Sequence, residues 1–193
     1  MVLEPALDRW RLQASLIFGW RRATTGRDKA RGRPHNRSSG GEAIAYARNA
    51  IELDPNTAAG CRLLACALAF AGDPAEAIAA AEQALRASPR DPMQWVTFGS
   101  IANAHFAKGR YQLAFEFADR AARLAPDWAG SYLTLASSAA HLGLIEEARA
   151  AIARALELGP RHRLTAMQNR PLFGKPEVVA RYLDGLRRSG LPE

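Results

Sequence analysis

Between residues 41 and 160 the chain repeats one pattern of small, large and turn-forming residues. A proline closes each of four repeats, at spacings of 34, 37 and 34 residues. An alanine stands twelve and five residues before each proline, and a glycine stands seventeen residues before the last three. In chain order, these anchors are Ala43, Ala50 and Pro55; Gly72, Ala77, Ala84 and Pro89; Gly109, Ala114, Ala121 and Pro126; and Gly143, Ala148, Ala155 and Pro160.

Each anchor predicts one feature of a pair of helices. Glycine ends a helix easily because it adopts the left-handed conformation without strain, whereas proline cannot continue a helix. Two alanines seven residues apart lie on one face of a helix, where a small side chain lets a neighbouring helix approach closely. Asp73-Pro74 predicts the start of a second helix, with Glu76 reaching back to it, and Asp91-Pro92 predicts the start of the next first helix.

The anchors predict three helical pairs and a half repeat. The pairs cover about residues 57–90, 91–127 and 128–161, and the half repeat covers residues 41–56. Three extra residues before Gly109 predict that the first helix of the middle repeat, or the loop before it, is about a turn longer. The large first-helix positions hold apolar residues, namely Leu64, Leu68, Phe98, Ile101, Tyr132 and Leu135.

This pattern resembles the tetratricopeptide repeat family over about residues 41–160. The resemblance implies an all-α solenoid of helical hairpins. Three full repeats reach the usual minimum for a stacked core, and the ends of such arrays need covering. The half repeat lacks a recognisable first helix, so we expect an open N-terminal end that is the weak end of the array and a candidate surface for self-association.

The C-terminal segment, residues 161–193, predicts a capping helix over the last repeat. Pro176 suits the first turn, and Gly190 suits the end. The arginines of this helix are expected on its solvent-exposed face, namely Arg181, Arg187 and Arg188. An apolar stripe at helical spacing is formed by Val178, Val179, Tyr182, Leu183 and Leu186.

A narrower resemblance rests on three features. The stretch ASPRDPMQW at residues 87–95, the longer middle repeat, and a closing pattern of PLF, a helix and GLPE are similar to the C-terminal repeat region of bacterial adenylate and guanylate cyclases and of related winged-helix regulators. It implies a regulatory module. The catalytic cyclase domain, a mixed α/β unit, has no counterpart in this sequence, so one alternative is a detached regulatory part of such a protein.

The net charge of +7 lies at the two ends of the chain. Residues 1–41 carry nine basic and three acidic side chains, whereas residues 42–160 carry ten and thirteen. Residues 1–40 are expected to form a basic segment, with an amphipathic helix over residues 4–20 and a poorly ordered linker after it. That helix could pack on the open end of the array or lie at a membrane surface. The basic segment could also attract nucleic-acid phosphates non-specifically.

We find no motif for catalysis or for a cofactor. Neither a phosphate-binding loop nor a dinucleotide fingerprint occurs. Cys61 and Cys66 are expected to be packed as small apolar residues and not bridged. No metal site is expected because the histidines are scattered, at His35, His105, His141 and His162. We therefore expect no enzyme activity, no membrane-spanning segment, and a reducing, cytoplasmic compartment.

The resemblance implies a groove lined by one face of the first helices. Its mixture of polar and apolar side chains suits an extended or helical peptide, although Phe70 and Phe106 could equally be core residues. Few basic or amide side chains are available, which disfavours a terminal carboxylate as the ligand. The sequence thus predicts a non-catalytic scaffold that binds a protein or peptide through Arg62, Cys66, Phe70, Asn103, Phe106, Leu133, Ser137 and His141.

Overall fold

The computed structural model describes residues 38–169 and 173–193, and these residues form helices joined by short connections. Within these two ranges there is no strand, so the all-α prediction is confirmed. The predictions made for residues 1–37 lie outside the described residues. The helices are α1 Ser38–Leu53, α2 Ala58–Ala71, α3 Pro74–Ala87, α4 Gln94–Ala107, α5 Tyr111–Leu124, α6 Ala129–Leu142, α7 Ile145–Leu158, α8 Leu164–Asn169 and α9 Pro176–Arg188.

Three hairpins, α2–α3, α4–α5 and α6–α7, stack into a solenoid. Each first helix packs against its own second helix and against the second helix of the preceding repeat. Among the described residues, helix α1 is the first element, and it packs on α2. The salt bridge from Arg48 to Glu76 joins α1 to α3, with N–O distances of 2.8 and 3.0 Å. Glu76 therefore pairs across repeats and does not reach back to the start of its own helix.

The turn-forming residues behave as the pattern predicts. Gly72, Gly109 and Gly143 adopt φ values of 98°, 71° and 79°, which only glycine reaches without strain. Each of the four repeat-closing prolines stands two residues beyond the end of a second helix. The side chain of Asp73 accepts a hydrogen bond from the Glu76 amide and starts α3. Local backbone chemistry thus places the boundaries of the hairpins.

The small residues of the pattern lie where helices touch. The alanine five residues before Pro55, Ala50, is only half-buried. The other seven pattern alanines are buried, with no more than 8% of their surface exposed: Ala43, Ala77, Ala84, Ala114, Ala121, Ala148 and Ala155. Close approach of the helices at these positions leaves no room for a larger side chain.

The extra residues of the middle repeat lie outside its helices. Helix α4 has 14 residues, like α2 and α6, so the expectation of a longer first helix is wrong and that of a longer preceding loop is right. Residues 88–93 connect α3 to α4, two residues more than 54–57 and 125–128 in the other repeats, and the third extra residue, Lys108, lies between the end of α4 and Gly109. The helix begins at Gln94 and not at Asp91-Pro92, because the side chain of Asp91 accepts from the Met93 amide and pairs with Arg62.

We expect Ala114→Trp to lower the free energy of unfolding by about 1–3 kcal/mol or more, because an indole at this fully buried position overpacks the contact between helices. Leu113→Trp is the matched control, since Leu113 is exposed on the same turn, and its effect should stay within about 0.5 kcal/mol. Urea unfolding followed by circular dichroism measures both. Equal stabilities for the two variants would contradict the close-packing argument.

Candidate functional site: the inner face and the C-terminal segment

The candidate site is the surface formed by the first helices α2, α4 and α6, which we call the inner face. The C-terminal part of the chain covers much of this face. Helix α9 packs on α6, and the residues just before α9 reach the ends of α2 and α4. The predicted capping helix is therefore present, but it lies across the inner face of the array. We call residues 173–191 the C-terminal segment.

Two predicted groove residues bind main-chain atoms of the C-terminal segment. The Ser137 hydroxyl donates to the carbonyl oxygen of Tyr182 at 3.0 Å, and His141 Nε2 lies 2.7 Å from the carbonyl oxygen of Arg181. Because a carbonyl oxygen only accepts, His141 Nε2 carries the hydrogen. The His141 ring also stacks on Tyr111, with ring centres 4.4 Å apart. In both contacts the partner atom is a main-chain carbonyl oxygen of α9 and not a side-chain atom.

The C-terminal segment in turn satisfies carbonyl groups at the ends of the inner helices. The last carbonyls of a helix have no partner within it. The amide of Gly174 donates to the Phe70 carbonyl of α2 at 2.7 Å, and Arg181 Nη2 donates to the Ala107 carbonyl of α4 at 2.8 Å. Arg181 was expected on a solvent-exposed face; it is half-buried because of this contact. Arg187 and Arg188 are exposed, as expected.

Aromatic rings fill the space between the C-terminal segment and the inner face. Phe173 lies between Phe70 and Phe106, with ring centres 5.9 and 6.0 Å away. Tyr182 meets the ring of Phe106 edge-on at 5.3 Å, and its hydroxyl lies 3.3 Å from Thr134 Oγ1. Phe106 is fully buried, in contact with both rings of the C-terminal segment. Leu133 is buried in the same cluster.

The other predicted groove residues lie in the seams between inner helices. Arg62 forms an ion pair with Asp91 that ties α2 to the loop before α4. Asn103 Oδ1 accepts from Thr134 Oγ1 at 3.0 Å, across the seam between α4 and α6. Cys66 is buried beside Ser100, and burial raises the pKa of its thiol to about 11. These side chains position the helices, and whether any of them also meets a partner stays a prediction.

Helices α9 and α6 approach each other closely at Gly185. A Cβ atom at this position would lie 2.7 Å from the carbonyl oxygen and 2.9 Å from the Cα of Ser137, which is closer than real Cβ contacts allow. Only glycine therefore lets α9 approach α6 closely enough for the Ser137 hydrogen bond. Sequence reasoning missed Gly185, although a glycine within the predicted helix, on the same face as its apolar stripe, was a usable signal.

The described residues show little other chemistry. Cys61 and Cys66 are free thiols, as expected. In residues 38–169 and 173–193 no three His, Cys, Asp or Glu side chains come together as a metal site. No helix of these ranges is long and apolar enough to cross a bilayer.

Gly185→Val should loosen the C-terminal segment because its side chain would collide with the backbone of α6. We expect amide hydrogen exchange in α9 to accelerate at least about tenfold, while exchange in α3 and α5 changes little. Ala180→Val is the matched control, since Ala180 is exposed on the same helix. Unchanged protection of α9 in Gly185→Val would contradict the close approach.

The docking of Tyr182 should weaken in alkali. Burial raises the pKa of the Tyr182 hydroxyl from 10.0 to about 12. The unfolded chain therefore releases this proton first, and the free energy of unfolding falls as the pH rises from about 10 to 12, by up to about 1.4 kcal/mol per pH unit for one group. Tyr182→Phe should lose this part of the slope, and Tyr46→Phe, at an exposed tyrosine, should keep it. Identical slopes for all three proteins would contradict the buried hydroxyl.

Comparison with known proteins agrees with this architecture. Residues 61–91 and 129–162 match the family described as tetratricopeptide repeat. Similar solved structures include MamA from Desulfovibrio magneticus RS-1, with 21% identity, a TM-score of 0.56, and coverage of 80% of this chain and 89% of that one. YrrB, described as a tetratricopeptide protein with an unusual peptide-binding site, has 22% identity, a TM-score of 0.52, and coverage of 79% and 77%.

PilW, described as a widely conserved type IV pilus biogenesis factor, has 16% identity, a TM-score of 0.57, and coverage of 97% of this chain and 84% of that one. No curated protein sequence matches the chain. The family match falls on the first and last hairpins, and the middle hairpin, with its longer loop, repeats the same anchors. The first and last hairpins of this chain are thus similar to the tetratricopeptide repeat, and the chain shares the fold of these solved structures.

Proposed function

We propose that the chain is a non-catalytic scaffold whose inner face binds a helical peptide segment. The observation that carries the proposal is the way Ser137 and His141 hold the main-chain carbonyls of α9. A carbonyl oxygen has two lone pairs, so it can accept from these side chains while it keeps its bond within the helix. The inner face thus has the chemistry to bind a helix of more than one sequence.

The C-terminal segment indicates what such a partner looks like. It places one aromatic ring before the helix, Phe173, and one within it, Tyr182, and both enter the apolar space around Phe106. A glycine must stand at the position of Gly185, where the two backbones meet. An amphipathic helix with these three features fits the recognition mode in which an apolar helix face enters a groove. YrrB shows that this fold supports peptide binding in at least one relative.

The narrower resemblance to the regulatory region of cyclases and winged-helix regulators supports a more specific version of the same proposal. The partner would then be a segment of a catalytic or DNA-binding domain of a signalling protein. A function in nucleic-acid or membrane-surface binding depends on the basic residues 1–41, and within the described residues no contact favours it. The scaffold function is therefore the one that the site supports best.

The proposal is tested by separating the C-terminal segment from the array after folding. A protease site replaces residues 170–172, the folded protein is cleaved, and a fluorescent synthetic peptide of residues 173–193 is added. We expect the labelled peptide to exchange into the inner face and to be displaced by unlabelled peptide. Fluorescence anisotropy measures the dissociation constant.

Removing both hydrogen-bonding side chains, in a Ser137→Ala and His141→Ala double variant, should weaken peptide binding about tenfold or more. Ser138→Ala is the matched control because the Ser138 hydroxyl bonds to Thr134 of its own helix and not to α9. If the cleaved segment dissociates and no labelled peptide binds, or if the double variant binds as well as the control, the proposal is wrong.

A further inference from the structure

A second cleft lies on the other side of the hairpins, between the second helices α3 and α5 and over α4. We call it the outer cleft. Its volume is about 470 Å³. Because the inner face holds the C-terminal segment, the outer cleft is a separate surface that α9 does not occupy. Its lining residues are Ile78, Glu82, Leu85, Pro89, Gln94, Phe98, Ile101, His105, Phe117 and Arg120.

A hydrogen bond that recurs along the array is missing at this cleft. In the first repeat Gln83 Nε2 donates to the carbonyl of Pro55 at 3.1 Å. In the last repeat Arg154 Nη2 donates to the carbonyl of Pro126 at 3.2 Å. Arg120 stands at the same position of the middle repeat, and it has no such bond.

The middle repeat pairs this carbonyl differently. Gln94, the first residue of α4, donates its own side-chain amide to the carbonyl of Pro89. Arg120 turns to the aromatic rings, and its guanidinium carbon lies 4.1 Å from the centre of Phe98 and 5.5 Å from that of Phe117.

Arg120 also lacks a carboxylate. In the last repeat Arg154 pairs with Glu157 at 2.7 Å. The residue that corresponds to Glu157 in the middle repeat is Arg123, which pairs with Asp119. Among residues 38–169 and 173–193, no group accepts a hydrogen bond from Arg120 or forms a salt bridge with it. The cleft therefore presents a guanidinium whose N–H groups have no protein acceptor among these residues.

The floor of the outer cleft is aromatic and holds a second unused polar group. His105 stacks on Phe117, with ring centres 5.7 Å apart, whereas the corresponding positions of the last repeat are Ala139 and Ala151. His105 is only 7% exposed, and its Nδ1 has no hydrogen-bond partner in the part of the chain that the structure describes. A buried polar atom without a partner is unusual in a folded protein.

We propose that the outer cleft binds a peptide segment in which a carboxylate side chain stands next to an apolar one. The carboxylate would accept two hydrogen bonds from the Arg120 guanidinium, whose planar shape suits this geometry. The apolar side chain would pack against Ile78, Leu85 and Phe98, which line the same cleft.

The charges beside the cleft favour an acidic segment. Arg90 follows the lining residue Pro89 in the chain and is exposed, and Arg120 is itself a lining residue. The acid in the lining, Glu82, already has a basic neighbour, since Arg86 Nη1 lies 3.9 Å from its carboxylate. The positive charge that remains attracts an acidic partner, and this attraction weakens as salt is added.

The test uses the full chain and two blocked peptides, acetyl-Leu-Glu-Phe-amide and its glutamine analogue acetyl-Leu-Gln-Phe-amide. We expect the glutamate peptide to bind, and to shift the NMR signals of α3 and α5 and not those of α9. The glutamine peptide should bind at least about tenfold more weakly, because a neutral amide cannot replace the charge-assisted bonds.

Arg120→Gln should weaken binding of the glutamate peptide by a similar factor. Arg123→Gln is the matched control, since it lies on the same helix outside the lining and should leave binding unchanged. Thermal melting of both variants establishes that they are folded. The Ser137→Ala and His141→Ala double variant should bind this peptide normally, so failure of the inner-face proposal and failure of this one are distinguishable.

Two results would overturn the proposal. One is the absence of binding to the wild-type chain at millimolar peptide, and the other is equal binding by wild type and Arg120→Gln. If sedimentation shows instead a self-association that Arg120→Gln abolishes, the occupant is a second copy of the chain and the peptide proposal is wrong.

Discussion

The contact between Gly185 and Ser137 controls how the whole inner face is organised. Since no Cβ separates the two backbones there, α9 comes close enough for hydroxyl and imidazole groups of α6 to reach its carbonyls. The same proximity brings Tyr182 against Phe106. A solenoid must cover the apolar surface at its ends. Here the C-terminal segment covers that surface and also lies on the inner face.

The anchors of the repeat were predictable because each depends on local physics. A glycine at positive φ, such as Gly143, or a proline after a helix, such as Pro126, is needed whatever surrounds it. The sequence predicted that α9 covers the last repeat, and it packs on α6 of that repeat. Neither the spacing nor the charge of its apolar stripe indicated that the segment before it would reach the ends of α2 and α4. The prediction that Arg181 is solvent-exposed was wrong, because its partner is the Ala107 carbonyl, 74 residues away in the chain.

Differences between equivalent positions of the repeats are the source of the distinctive chemistry. One position holds Gln83, Arg120 and Arg154 in successive repeats, and the first and last bind a proline carbonyl. In the middle repeat Gln94 at the start of α4 donates to the carbonyl of Pro89, and the Arg120 guanidinium lies over Phe98. The sequence showed the three extra residues, but only the structure shows that Arg120 has no hydrogen-bond acceptor among the described residues.

A partner of the inner face and a partner of the outer cleft would therefore meet different competition from the chain itself. A partner of the inner face competes with a segment that is attached to the same chain, so its apparent affinity is reduced by the fraction of molecules in which that segment is displaced. Any change that stabilises α9 docking, including a better fit at Gly185, lowers that fraction. A partner of the outer cleft displaces no described segment and meets a cation that is already unpaired. The apparent affinity of an outer-cleft partner is therefore not reduced by the C-terminal segment, whereas a partner of the inner face must compete with that segment for the same contacts.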